Sequence, residues 1–434
     1  MTQQNQPSSG RGWTVVLAAL AINLVLGVLY AWSVVGKALV VQWHWTKTQA
    51  MWPFAVSAAA FALMMVFAGR AQDKLGPRYI AMLGGLILGV GMLASSFAQT
   101  PAMMLLTFGI IGGMGIGLGY SATTPPSIKW FPPARKGLIT GIVVSGVGLA
   151  AVYMSPLTNA LLKTRGIHQT FLFLGIGTIA LVCLLALFLT NPPPGYVAAT
   201  PSSAAAGTVQ KAAAAPRRDF DWHQMLQTGQ FYQLWLMFVL AASAGLLIIG
   251  NITLIAADQA PQWQSGYLLV MFVAIFNTCG RVVSGFVSDR LGRSNTMILA
   301  FVLQAANMFA FTHYLSPAWL LFGSAFTGLC YGTIFTLFPA ATADFYGVRH
   351  LGVNYGLVFT AFGVAAVTGS VMGGHVRDVF HAYAHAFTIC AIMLLFGAVL
   401  AFLLKAPNAS IASPLPPSPG GDGKRLAQPE VAVR

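Results

Sequence analysis

GRAQDKLGPR, residues 69–78, returns as GFVSDRLGRS at residues 285–294. Gly69, Asp73, Lys74 and Gly76 of the first copy match Gly285, Asp289, Arg290 and Gly292 of the second. The copies are separated by close to half of the 434-residue chain, and each closes a long apolar stretch. A second echo keeps nearly the same spacing, with Gly137 and Gly141 answered by Gly352 and Gly356. Charged, Gly-turned loops duplicated between apolar segments are the mark of a membrane protein built from two similar halves.

Composition supports this. Apolar residues make up 57% of the chain and charged ones 7%. Charge is confined to short connections between segments of about 20 apolar residues, enough to cross ~30 Å of hydrocarbon. The expected fold is an all-α polytopic membrane protein with twelve transmembrane helices in two pseudo-symmetric halves of six. Spans are expected at 13–41, 48–70, 79–98, 102–128, 137–163 and 170–190, then at 231–257, 263–288, 294–314, 317–343, 352–376 and 385–405. Residues 1–12 are a short tail, 13–190 the first half, 191–228 a linker, 229–405 the second half and 406–434 a disordered tail. NPPPGY at 191–196 stops the sixth helix, and the Ala/Ser/Pro-rich stretch after it reads as flexible. The first apolar segment runs on for nearly 30 residues without a cleavage signal, so it is retained as a helix.

A formal charge of +14 raises the question of nucleic acid. Position answers it. Lys37, Lys47, Lys163, Arg165 and Arg377 fall on one side of the topology, Arg281 inside a span, and the remaining Lys and Arg on the other side. The positive-inside rule places both termini in the cytoplasm. Cys183, Cys279, Cys330 and Cys390 lie within spans and form no CxxC pair, as expected of inert thiols.

The repeated loop resembles the signature of the major facilitator superfamily, GxxxD[RK]xG[RK], between helices 2–3 and 8–9. The resemblance implies that Gly69, Asp73 and Arg78, with Gly285, Asp289 and Arg293, latch the cytoplasmic side until the halves rock apart. GVLYAWS (27–33), KWFPPARKGLITG (129–141), NTCGRVVSGFVSDRLGR (277–293) and FPAATADFYGVRHLGVNYG (338–356) resemble the monocarboxylate transporter and oxalate/formate antiporter branch. That implies a bacterial inner-membrane carrier of small carboxylates. The chain departs from both relatives. Asn277 stands where animal-type monocarboxylate transporters carry an Asp, and Phe362 where the exchanger branch carries a helix-11 Lys. The DGGWGW-like opening of helix 1 is also missing.

Arg281 is the single charge expected deep in the bilayer, about 12 Å from the edge marked by Asp289 at 1.5 Å per residue. An Arg there costs at least about 2.5–3.5 kcal/mol on insertion scales, so it must face a cavity or a partner. Its planar fork matches a carboxylate bidentately. Asn277 lies one turn away on the same face. Tyr30, Tyr120, Asn251, Tyr331, Phe335 and Phe359 fall near mid-span and complete the expected substrate site. Leu29 and Phe362 supply an apolar wall. Packing alone accounts for many aromatic stripes at i,i+4 spacing, but a buried Tyr needs a partner. Asp258, ending helix 7 on the outer side, is the expected proton-coupling acid. Lys37 is read as snorkelling.

The expected activity is secondary transport of lactate- or pyruvate-like monocarboxylates with a proton, by a functional monomer in a lipid bilayer. Oxalate/formate-type exchange is the alternative. No cofactor is expected, and the spacing of His375, His381 and His385 fits no compact metal site. The chain carries no Walker motif for ATP-driven pumping, no Ser/Lys or His/Glu constellation for an intramembrane enzyme, and no signalling domain in its short tails for a sensor.

Overall fold

The computed structural model describes residues 9–132, 135–193, 196, 219–263, 265–347 and 350–407. The side chains of Arg70, Asp73, Lys74 and Lys136 fall outside that description, as do most of the expected linker and the expected tail from 408. The described residues are helical and contain no strand. Eleven helices are long and apolar enough to cross a membrane. One of these, Lys136–Ala186, is 51 residues long and turns at Gly166, where φ is 74°. It therefore makes two crossings, giving twelve among the described residues.

In chain order the crossings are α1 (Gly10–Trp43), α2 (Lys47–Leu75), α3 (Pro77–Ser95), α4 (Pro101–Lys129), α5 and α6 on either side of Gly166, and then α7 (Gly229–Gln259). They continue as α8 (Tyr267–Leu291), α9 (Arg293–Phe311), α10 (Pro317–Tyr346), α11 (Leu351–Phe380) and α12 (Ala384–Leu403). An even number of crossings puts the start of α1 and the end of α12 on one side, the terminal side. Boundaries match the sequence expectation to within a few residues except between α5 and α6. There a loop was expected, and helix continues up to Gly166 and resumes beyond it, with Thr170 Oγ1 satisfying the Gly166 carbonyl at 2.7 Å.

The duplicated loop adopts one geometry twice. Gly76 and Gly292 have φ of 86° and 84°, a region open to glycine, and each ends one helix and starts the next. The outer faces of the bundle carry exposed Phe67, Phe286 and Phe402, as a hydrocarbon surround requires. Cys279 lies on such an exposed face rather than in the interior.

Inside, helices approach closely where side chains are absent. A Cβ on Gly115 would lie 2.3 Å from the Leu88 backbone nitrogen, so α3 and α4 touch backbone to backbone. α7 is buried on every face across its most apolar window, which makes it a central post of the second half. α1 is interrupted by a 3-10 segment at Gly27–Ala31, and α11 by a π segment at Val367–Val371. Such irregular turns re-aim side chains within a span. Within the expected linker, Asp221 and Gln224 form a capping box on the short helix Trp222–Leu226. Phe220 is tied to the Tyr346 carbonyl at 3.0 Å, which anchors the entry into the second half.

Candidate functional site

Three helices build the site around Arg281. α8 carries Asn277 and Arg281 one turn apart, and α10 lies against it because glycines leave room. A Cβ on Gly332 would sit 2.2 Å from the Asn277 carbonyl oxygen. α5, from the other half, supplies the facing wall. Arg281 Nε lies 3.4 Å from Asn277 Oδ1, and Nη1 donates to the Val144 carbonyl at 3.2 Å. Its guanidinium covers the Phe335 ring at 4.6 Å, a cation–π contact. Among the described residues no carboxylate pairs with it.

Two buried polar atoms near Arg281 are poorly satisfied. Asn277 is fully buried, and its Nδ2 has no hydrogen-bond partner. Tyr331 is 2% exposed and its hydroxyl has no well-formed hydrogen bond, its weak partner being the Tyr30 hydroxyl. A buried polar atom left unpaired costs about 1–3 kcal/mol. Tyr30, Tyr120, Tyr331 and Tyr355 all lie within electrostatic reach of Arg281.

A cavity of about 660 Å³ opens beside this cluster. Arg281, Thr278 and Val282 of α8, Phe335 of α10, and Val144 and Ser145 of α5 line it. Its residues lie mostly in the terminal-side halves of their helices, which sets the cavity on that side of the bundle's middle. The roof is aromatic. Phe335 is 6.1 Å from Phe362 and 6.4 Å from Phe359, which stack on each other at 5.2 Å. Phe61 of α2 contacts Phe359, Phe362 and Tyr120 at 5.6, 5.9 and 5.5 Å, closing the wall from the first half.

The expected residues therefore divide. Arg281, Asn277, Phe335, Tyr331, Tyr30, Tyr120, Phe359 and Phe362 gather in one region. Leu29 is buried beside Tyr30 in the 3-10 segment of α1. Asn251 lies elsewhere, its Nδ2 bonding the Leu247 and Ser370 carbonyls at 3.1 and 3.0 Å and tying α7 to α11. Sequence reading missed Phe61, Thr278, Ser145 and the Val144 carbonyl. The two hydroxyls carry a weak signal, since both are polar residues within apolar spans, whereas a backbone acceptor carries none.

Asp258 lies on the far side, away from the cavity. Lys47 Nζ meets its two oxygens at 3.1 and 2.8 Å, and Arg377 Nε bonds the same carboxylate. Asp378 accepts from the Lys47 and Thr48 backbone nitrogens at 3.1 and 2.8 Å. Lys47 and Thr48 belong to the first half, the three partners to the second. The far side is thus tied by charge across the halves.

The residues expected to latch the terminal side are arranged differently. Arg293 bonds Asp344 at 3.3 Å, Asp289 at 3.2 Å and Ser288. These contacts all lie within the second half. In the first copy Gly69 has open space around it and Arg78 is exposed; the Asp73 side chain lies outside the described residues. Among the described residues no His/Cys/Asp/Glu group could hold a metal ion.

The family model of the Major Facilitator Superfamily matches residues 12–317 and 264–429. The chain belongs to the major facilitator superfamily. Among superfamily relatives, the oxalate:formate antiporter of Oxalobacter formigenes is 27% identical, covering 95% of this chain and 92% of its own length. Monocarboxylate transporter 13 of Rattus norvegicus is 24% identical over 90% of this chain and 88% of its own. A bacterial homologue of the human lysosomal transporter Spinster, solved inward-facing and unoccupied, aligns with a TM-score of 0.66 at 15% identity. It covers 92% of this chain and 98% of its own. That last likeness concerns the fold alone. The named relatives are transporters, and this chain is a membrane-embedded member of the same superfamily.

Proposed function

We propose that the protein carries small monocarboxylates such as lactate or pyruvate, coupled to a proton, with the substrate carboxylate held by Arg281. One observation carries this reading. Arg281 is an intramembrane guanidinium without a carboxylate partner among the described residues, beside the buried, unpaired Asn277 Nδ2 and the weakly paired Tyr331 hydroxyl. A carboxylate placed there takes two parallel bonds from the fork, displacing the Val144 carbonyl, and further bonds from Asn277 Nδ2 and the Tyr331 hydroxyl. The aromatic roof meets an alkyl group and excludes water. Ser145 and Thr278 face a hydroxyl or keto oxygen.

Alternating access follows from the asymmetry of the two ends. With the termini in the cytoplasm of a bacterial cell, the terminal-side cavity is the inward-facing mouth, and the Lys47–Asp258–Arg377 cluster is the closed outer gate. Asp258 is the proton-coupling candidate, and its setting supplies the means. A proton on Asp258 removes the charge that holds Lys47 and Arg377 together, and the gate loosens. Uptake of labelled lactate into proteoliposomes, with and without an imposed pH gradient, tests the whole reading. Gradient-stimulated uptake is the expected result.

Exchange of oxalate for formate is the second reading, supported by the similarity to the Oxalobacter formigenes antiporter. Phe362 weighs against it. It is 1% exposed within the aromatic wall, and it offers a second carboxylate no counter-charge.

A further inference from the structure

A second cavity, of about 360 Å³, lies on the far side between the halves. α1 contributes Lys37 and Gln42, α5 contributes Asn159 and Lys163, and the segment entering α8 contributes Trp263 and Tyr267. Val34, Lys37, Ala38 and Val41 follow one face of α1 at helical spacing, and Asn159, Leu162 and Lys163 one face of α5. Two ammonium groups thus share one cleft, near enough for the charge of Lys163 to act on Lys37.

Nothing in the cleft neutralises them. Its lining residues include no carboxylate. Asp258 and Asp378, the acids on this side, are committed to Lys47, Arg377 and the start of α2. Like charges held in one partly enclosed cleft repel, and a small anion between them turns that repulsion into attraction. Asn159, Gln42, the Trp263 indole N–H and the Tyr267 hydroxyl add donors around the same space.

The cleft also leads somewhere. Its wall residue Thr253 donates to the Ser33 carbonyl, a contact between the halves that forms the floor. Below Ser33 on α1 comes Tyr30, packed against the α7–α8 wall and within reach of Arg281. Lys37, Ser33 and Tyr30 succeed one another at four and three residues, a descent of roughly 10 Å along the helix.

We propose that this cleft is an outer loading site for a small carboxylate, held by Lys37 and Lys163 before the Ser33–Thr253 floor opens towards Arg281. The proposal rests on carboxylate transport through the Arg281 site, so its test separates the two. The first measurement is Trp263 fluorescence of the purified full-length protein titrated with acetate, with Trp263→Phe as the reference. A saturable, acetate-dependent signal should persist in Arg281→Ala and vanish in Lys37→Gln/Lys163→Gln. Lys37→Arg/Lys163→Arg should restore it, which distinguishes charge from folding.

The second measurement compares KM from the two sides in oriented vesicles. Lys37→Gln/Lys163→Gln should raise the influx KM by roughly three- to tenfold at low ionic strength and leave the efflux KM in place, with the difference shrinking as salt rises. No acetate signal, a signal that survives loss of both lysines, or equal KM changes in both directions would overturn the loading site. Full transport by Arg281→Ala alongside a lysine-dependent acetate signal would instead overturn the Arg281 reading and leave the loading site standing.

Discussion

Arg281 Nη1 donates to the Val144 carbonyl at 3.2 Å, joining α8 of the second half to α5 of the first through one guanidinium. A helical carbonyl is a weak partner for a full positive charge, and a carboxylate competes for the same donor with charge assistance. Under the proposed function, substrate binding at this point exchanges a contact between the halves for a contact with cargo, and links binding to rocking through the same side chain.

Arg281→Ala and Arg281→Lys are both expected to reduce carboxylate uptake to background while the protein still inserts and purifies. Lys keeps the charge but loses the fork, and a lost charged hydrogen bond is worth about 1.5–3 kcal/mol, roughly 10- to 150-fold in affinity. Normal uptake by either variant would remove Arg281 from the site.

Substrate preference should follow the single cation. Lactate, pyruvate and propionate are expected to displace labelled substrate far better than oxalate does, because Phe362 leaves a second carboxylate unpaired. Competition by oxalate equal to that of lactate would favour exchange.

Asp258→Asn should weaken the stimulation of uptake by an outside-acid gradient and loosen the far-side gate at the same time. Cysteine accessibility at a far-side position, read with and without the substitution, reports the gate independently of transport. An unchanged response to the gradient would leave symport intact and move the proton elsewhere. Uptake indifferent to pH but dependent on carboxylate inside the vesicle would support exchange.

Gly332→Ala places a methyl carbon 2.2 Å from the Asn277 carbonyl oxygen, so α8 and α10 must separate. Overpacking of this kind costs typically about 1–3 kcal/mol. A lowered unfolding temperature together with lost uptake is expected, since Asn277 and Arg281 ride on the displaced helix. Wild-type thermal stability and transport would show that the two helices give way freely.

The architecture was legible because two independent repeats and the apolar spans point to the same folding pattern, and the positive φ of Gly76 and Gly292 is the structural form of the first repeat. Arg281 and Asn277 were legible because i,i+4 spacing on one helix fixes their common face. Phe61 was missed because α2 offered no polar marker, and its role arises only where it meets Phe359 and Phe362 of the other half. Asn251 was grouped with the site as a polar residue near mid-span on helix 7, and neither polarity nor depth tells which neighbour a face meets. The far-side cluster joins residues distant in the chain, Lys47 with Asp258 and Thr48 with Asp378, and no local pattern foretells such pairs.

The first two amides of α2 are satisfied by Asp378, a residue of the opposite half, while Thr46 Oγ1 serves Gln49 at 3.1 Å from within the same chain segment. One end of a transmembrane helix thus depends on a borrowed acceptor. When the halves part on that side, the Lys47 and Thr48 N–H groups pass to solvent while the Gln49 amide keeps its own cap. Deuterium uptake at these neighbouring amides is therefore a built-in position sensor. Rapid labelling at 47 and 48 with protection at 49 would report the fraction of carriers open to the outside, in unmodified protein and without any reporter attached.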